Sequence, residues 1–178
     1  MTAVQSTRPT SAVPTLARAI LAELERESAR TRKLLEVVPL ERGDWKPHEK
    51  SMSLAQLASH VAENLAWWRA YQGDGIDFAT MDYKPFLART REELLAEHDK
   101  NVAACAAGIR DWTDEFLLRE WSMSVGGRVL STDPRHEAMR EVCLQHLVHH
   151  RGQLTVYLRL LGVPLPQIYG PTADFPSV

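Results

Sequence analysis

The sequence predicts an all-α fold: a four-helix bundle with long connections and a small β-hairpin inserted before the last helix. Three observations predict it. Four stretches repeat apolar residues at helical spacing, two of them open on capping-box signatures, and the period switches once, around a Gly-Gly pair between the third stretch and the fourth. At 178 residues the chain is long enough for one domain with a substantial core and too short for two. One bundle domain is therefore expected over residues 14–178. Residues 1–13, with Ser, Thr and Pro interspersed, have nothing to pack and are expected to form a mobile arm.

In the first helix Leu16, Ile20, Leu24, Thr31, Leu34, Leu35 and Val38 share a face. Glu23, Glu25, Arg26, Arg30, Arg32 and Lys33 take the other, and Pro39 ends the run. A connection with Gly43 and Pro47 follows, anchored by Trp45. Ser53, with Gln56 three residues on, opens the second helix, expected to reach about Tyr71 and to stop before Gly73. Its inward arc holds Leu54, Leu57, Val61, Leu65 and Trp68, with His60 and Asn64 on the edge. Residues 73–89 read as a long loop of the kind that covers sites.

Thr90 and Glu93 form the capping box of the third helix, which runs through Leu94, His98, Val102, Cys105 and Ile109. His98, between Glu97 and Asp99, reads as core or rim. Residues 121–125 and 128–130, joined by Gly126 and Gly127, read as the hairpin. Asp133 and Pro134 supply a helix start, Gly162 a helix end, and residues 165–178 an extended tail.

Composition excludes several functions. With 25% charged residues and a net charge of -2, no basic field is available for a nucleic-acid backbone. No apolar run approaches the roughly 18 residues of a membrane span, and no hydrophobic signal segment opens the chain, so a cytoplasmic protein with no membrane partner is expected. Cys105 and Cys143 sit within helical patterns and suit buried, reduced thiols better than a disulfide.

The chemistry concentrates in residues 141–162. At about 100° per residue, Met139, Val142, Cys143, Leu147, Leu154, Tyr157 and Leu161 share an arc, the expected buried face. His146 and His150, about 40° apart, fall in the middle of it with Gln153 beside them. An inward imidazole whose nitrogens find no partner costs about 1–3 kcal/mol. A metal ion would satisfy both rings, as would ordinary hydrogen bonds in a core. The HExxH metalloprotease motif is absent, because Leu147 stands where its Glu would be. His149 lies about 60° to the other side of His146, at the edge of the stripe. Bundles build metal sites from facing helices, which makes His60 the natural third ligand. Three neutral imidazoles leave a coordination position open, the pattern of catalytic rather than structural zinc.

The run HLVHHRGQLTVYLRLLGVPLPQIYG, preceded about eighty-five residues earlier by SLAQLASHVAENLAWW, resembles the DinB and YfiT-like four-helix-bundle metalloproteins. The resemblance covers residues 16–169, and its most specific piece is HxxxHRGQ with an upstream helix histidine. It implies a divalent metal, zinc or nickel, held by His60, His146 and His150, and a homodimer. Relatives include thiol S-transferases that use bacillithiol and isomerases that use mycothiol or glutathione, while others are called damage-inducible proteins or metal-dependent hydrolases. The resemblance does not choose among them, and a low-molecular-weight thiol is the cofactor that the first two would imply. Arg69, Arg151 and Arg159 are cations that such a cofactor's carboxylate would meet, unless they form a solvated face.

The expected function is metal-assisted activation of a thiol in an S-transferase acting on a small-molecule substrate, or of water in a hydrolase. Asn64, Gln153 and Tyr157 are the candidate assisting residues, and none is an obvious general base. A non-catalytic metal-binding stress protein and a metal-free interaction module are the alternatives. An enzyme needs a pocket at the metal, expected to be rimmed by residues 73–89 and 121–130 and lined by Asn64, Trp68, Gln153 or Tyr157.

Overall fold

Thr15 caps the first helix, its hydroxyl accepting from the Arg18 amide, and α1 (Leu16–Leu35) follows. The computed structural model describes residues 15–176; the arm expected over residues 1–13 lies outside the described residues. A 3₁₀ turn (Leu40–Arg42) leads to Ser53, where the expected capping box is complete and opens α2 (Leu54–Glu63). At Asn64 the helix tightens into a 3₁₀ run (Asn64–Gln72), so the second helix has the expected length but changes its hydrogen bonding halfway. α3 (Arg91–Ile109) begins at Thr90, whose hydroxyl accepts from the Glu93 amide. The Glu93 carboxylate reaches back to the Arg89 amide rather than to Thr90, so the box is not reciprocal.

A short α4 (Asp114–Leu118) precedes the hairpin, β2 (Glu120–Val125) and β3 (Arg128–Pro134). Gly126 and Gly127 turn it with φ of 58° and 78°, values that favour glycine. Residues 75–77 are not loop: β1 (Gly75–Asp77) pairs parallel with β2, giving a three-stranded sheet in the order β1-β2-β3. Periodicity cannot detect a three-residue strand. What fixes this one is Asp77, which accepts from the amides of Ala79, Gly126 and Gly127 and so locks β1 to the glycine turn.

The last helix departs from expectation in two ways. Asp133 does not cap it, because β3 runs on through Pro134 with Asp133 opposite Trp121, and α5 (Arg135–Met139) starts one residue later. The helix then widens into a π segment (Arg140–Gln145) before α6 (His146–Leu160). A π turn shifts the phase of everything after it. The buried residues of α6 are Leu147, Arg151, Leu154 and Leu158, with Leu144 buried just before them. His146 and His150 therefore stand at the flank of the buried stripe, not in its middle, with His146 exposed and His150 half-buried.

One apolar core joins the helices, with Leu24, Leu34, Leu57, Leu94, Leu147 and Leu154 all essentially inaccessible. Gly108 of α3 lies under the Trp68 ring; a Cβ there would meet it at 2.1 Å. α2 packs against both α3 and α6, and the second contact determines what His60 faces.

Candidate metal centre

His60 projects from the last turn of α2 toward the start of α6. Its Nε2 is 3.0 Å from His146 Nε2. The His150 ring, one turn on, is centred 4.6 Å from that of His60 and 4.3 Å from that of His146. One ligand nitrogen from each of the three lies within 4.8 Å of the others. A hydrogen bond between neutral imidazoles accounts for the first pair but not for the third ring. Nitrogens about 2.0–2.1 Å from a tetrahedral ion stand about 3.3 Å apart, close to the spacing of the His60 and His146 nitrogens. The donor set thus fits a zinc-like ion.

The far nitrogen of His150 is held as a metal-binding histidine requires. His150 Nδ1 donates to Gln153 Oε1 at 2.7 Å, which leaves Nε2 as its unprotonated nitrogen. His60 Nδ1 is 3.6 Å from Glu63 Oε1. Partial desolvation of its ring within the cluster, and then the neighbouring rings of His150, His60 and His149, push His146 down to about 4. His150 is also lowered, by burial first, while its bond to Gln153 opposes the shift. Both are neutral near pH 7, with lone pairs to offer.

A sequence profile of the DinB family matches residues 11–176. The chain belongs to the DinB family. Among curated proteins it is 28% identical to the uncharacterised Bacillus subtilis protein YjoA over 139 residues, 74% of this chain and 82% of that one. It is 31% identical to YrdA of the same organism over 87 residues, 48% of each. The crystal structure of YjoA superposes with a TM-score of 0.63 at 20% identity, covering 89% of this chain and 99% of that one. A DinB-like protein from Bacillus cereus gives 0.65 at 22% identity, covering 84% and 95%, and a DinB-family structure from Exiguobacterium sibiricum 0.64 at 21%, covering 88% and 98%. These structures share the fold.

Two concavities border the histidines of this DinB protein and share Met52. One, about 390 Å³, is lined by His150, Gln153, Tyr157 and Leu57; the other, about 480 Å³, by His60, Glu63, Tyr83 and Phe86. Residues 83–87 supply the expected rim, but the second rim is the connection at Ser51 and Met52, not the hairpin. Of the three candidate assisting residues, Gln153 lines the groove and orients His150. Tyr157 lines it too, with its hydroxyl donating to the Met52 carbonyl at 3.1 Å. Asn64 is buried, its amide donating to the Val142 carbonyl in the π segment, and it lines neither groove. Trp68 is likewise buried, close to Trp112 and Gly108.

His149, His98 and both cysteines stay outside the cluster. Buried His98 places Nε2 3.2 Å from the Ser28 carbonyl. Burial raises both thiols, Cys105 to about 12. Arg151 of the HRGQ motif is buried, with its guanidinium on Glu27 at 2.5 Å and on Thr31 at 3.1 Å, and Arg159 pairs with Asp174. Glu63 is the residue that the sequence concealed. It shares a face with His60 and is buried, and its carboxylate accepts from the Tyr83 hydroxyl at 2.6 Å and the Phe86 amide at 2.9 Å. Burial would raise it, but those bonds and His60 outweigh burial and hold it below its ordinary value. A Glu three residues after a helical His is the signal that points to it.

Proposed function

We propose that this DinB protein is a metal-dependent enzyme acting on a small molecule, with a divalent ion, zinc or nickel, held by His60, His146 and His150, and with a low-molecular-weight thiol as the activated group. The three histidine nitrogens gathered beside two open grooves carry this reading. When bound, such an ion supplies Lewis acidity and lowers the pKa of a thiol or water molecule that reaches it. Gln153 keeps the His150 proton on Nδ1, and Glu63 stands behind His60.

Thiol transfer is favoured over hydrolysis by the groove walls. Glu63 is the one carboxylate among the residues lining either groove, and both of its oxygens are engaged. The ion would deprotonate a bound water as readily as a bound thiol. Hydrolysis then needs a proton delivered to the leaving group by a residue within about 3 Å, and Glu63 is not free to serve, whereas transfer of a thiolate to a soft electrophile has no such step.

The test has two steps. Metal content is measured after purification without added metal, expected at one ion per chain. The loaded protein is then screened with thiols and electrophiles while thiol consumption is followed. Absence of metal sinks the whole reading, and bound metal without thiol consumption leaves a non-catalytic metal-binding protein.

A further inference from the structure

The groove beside His60 continues past Tyr83. Glu63 and Tyr83 line it and also line an adjoining concavity of about 320 Å³, whose remaining wall includes Trp67, Arg69, Ile76 and Met81. That wall is largely aromatic and apolar. The half-buried Trp67 ring is centred 5.1 Å from that of Tyr83 and 6.1 Å from that of Phe78.

Two charged groups border the concavity, and their situations differ. Glu63 is buried and satisfied by Tyr83 and Phe86. Arg69 is exposed, its Nη1 donating to the Ala66 carbonyl at a weak 3.4 Å and its guanidinium lying 5.6 Å from the Trp68 ring centre. No ion pair among the described residues includes it. Of the three arginines that the sequence offered for an anion, Arg151 and Arg159 already hold carboxylates of this chain. Arg69 alone keeps its charge for something else.

We propose that this concavity is a binding subsite for a flat, apolar group that ends in an anion, with the ring against Trp67 and Tyr83 and a carboxylate or similar anion on Arg69. Guanidinium suits a carboxylate because its planar donor fork matches both oxygens. That the same molecule also reaches the histidines rests on the function proposed above, and it fixes the molecule's size. His60 and Arg69 lie nine residues apart on one helical run, α to Glu63 and 3₁₀ beyond, or roughly 15 Å along the axis. A ligand spanning both is about that long, the size of a thiol conjugate rather than of a two- or three-carbon metabolite.

The probes are 4-phenylbutyrate and its neutral isostere 4-phenylbutyramide, titrated calorimetrically into the full chain. The acid is expected to bind about five- to tenfold more tightly, the range of a charge-assisted contact at a partly exposed site. Arg69→Gln should abolish that preference and Arg69→Lys should keep part of it. His146→Ala, which removes a metal ligand, should leave it unchanged. Equal affinities in the native protein, no heat from either probe at millimolar concentration, or a preference that survives Arg69→Gln overturns the subsite. A preference lost in His146→Ala but kept in Arg69→Gln places the anion at the histidines, which overturns the subsite while the metal reading stands. If the native protein holds no metal and the acid still prefers Arg69, the subsite stands and the metal reading falls.

Discussion

The Tyr83 hydroxyl donates a 2.6 Å hydrogen bond to Glu63 Oε1, the oxygen that stands 3.6 Å from His60 Nδ1. One buried carboxylate therefore touches both a candidate metal ligand and the segment that walls the groove. Tyr83→Phe removes the bond without changing the ring. Phe86 should then lose amide-exchange protection severalfold, and global stability should fall by about 1 kcal/mol, the net worth of one hydrogen bond. Unchanged exchange at Phe86 would mean that Glu63 does not hold the segment.

His146→Ala should lower metal content to background, because two histidines and water seldom retain a zinc-like ion against a chelator. His149→Ala is the control: that ring is exposed and outside the cluster, so its loss should leave metal content at the native value. Equal loss in both variants would show that the ligand set is misassigned. In either variant the bundle should remain folded by circular dichroism, since the apolar core does not depend on the cluster.

Arg151→Met should be the more damaging change, although it touches no metal ligand. It leaves Glu27 in a buried position with only Tyr169 and Arg30 as side-chain partners. Removing one partner of a buried pair costs about 3–5 kcal/mol, and the surviving Arg30 contact puts the expectation near the lower end. Tyr169→Phe should cost about 1 kcal/mol. Denaturant unfolding measures both; near-native stability in Arg151→Met would show that the pair is dispensable.

Buried His98 gives the protein an acid-side instability. Its Nε2 faces the Ser28 carbonyl and so carries the proton of the neutral ring, and burial holds its pKa below the ordinary 6.5. On acidification the unfolded chain takes up the proton before the folded one does. Stability is therefore full above pH 6.5 and falls as pH drops through that value, by at most about 1.4 kcal/mol per pH unit for one such group. Metal-free protein should show this fall in its urea midpoint, and His98→Gln should flatten it. A slope equal in both proteins would assign the acid loss to other groups, His146 first among them.

The sequence by itself determined the bundle, the hairpin and the identity of the three histidines. The helix starts, the hairpin and the His146–His150 pair rest on information carried within a few neighbouring residues, whereas His60 joined that pair through the expected packing of facing helices and the family resemblance. Ser53 and Gln56 cap one another, Gly126 and Gly127 adopt a conformation other residues avoid, and a four-residue spacing puts His146 and His150 on one side of any helix. What the tertiary structure decided is how those pieces are aimed. The π segment at residues 140–145 rephased α6, moving the histidines from the centre of the buried stripe to its flank and putting Arg151 inside with Glu27. A π turn leaves no mark in apolar periodicity, because its register is set by what packs on either side. Glu63 was likewise hidden, since its partners come from Tyr83 and Phe86, twenty and more residues away. β1 was hidden too, because a three-residue strand exists only where another strand accepts it.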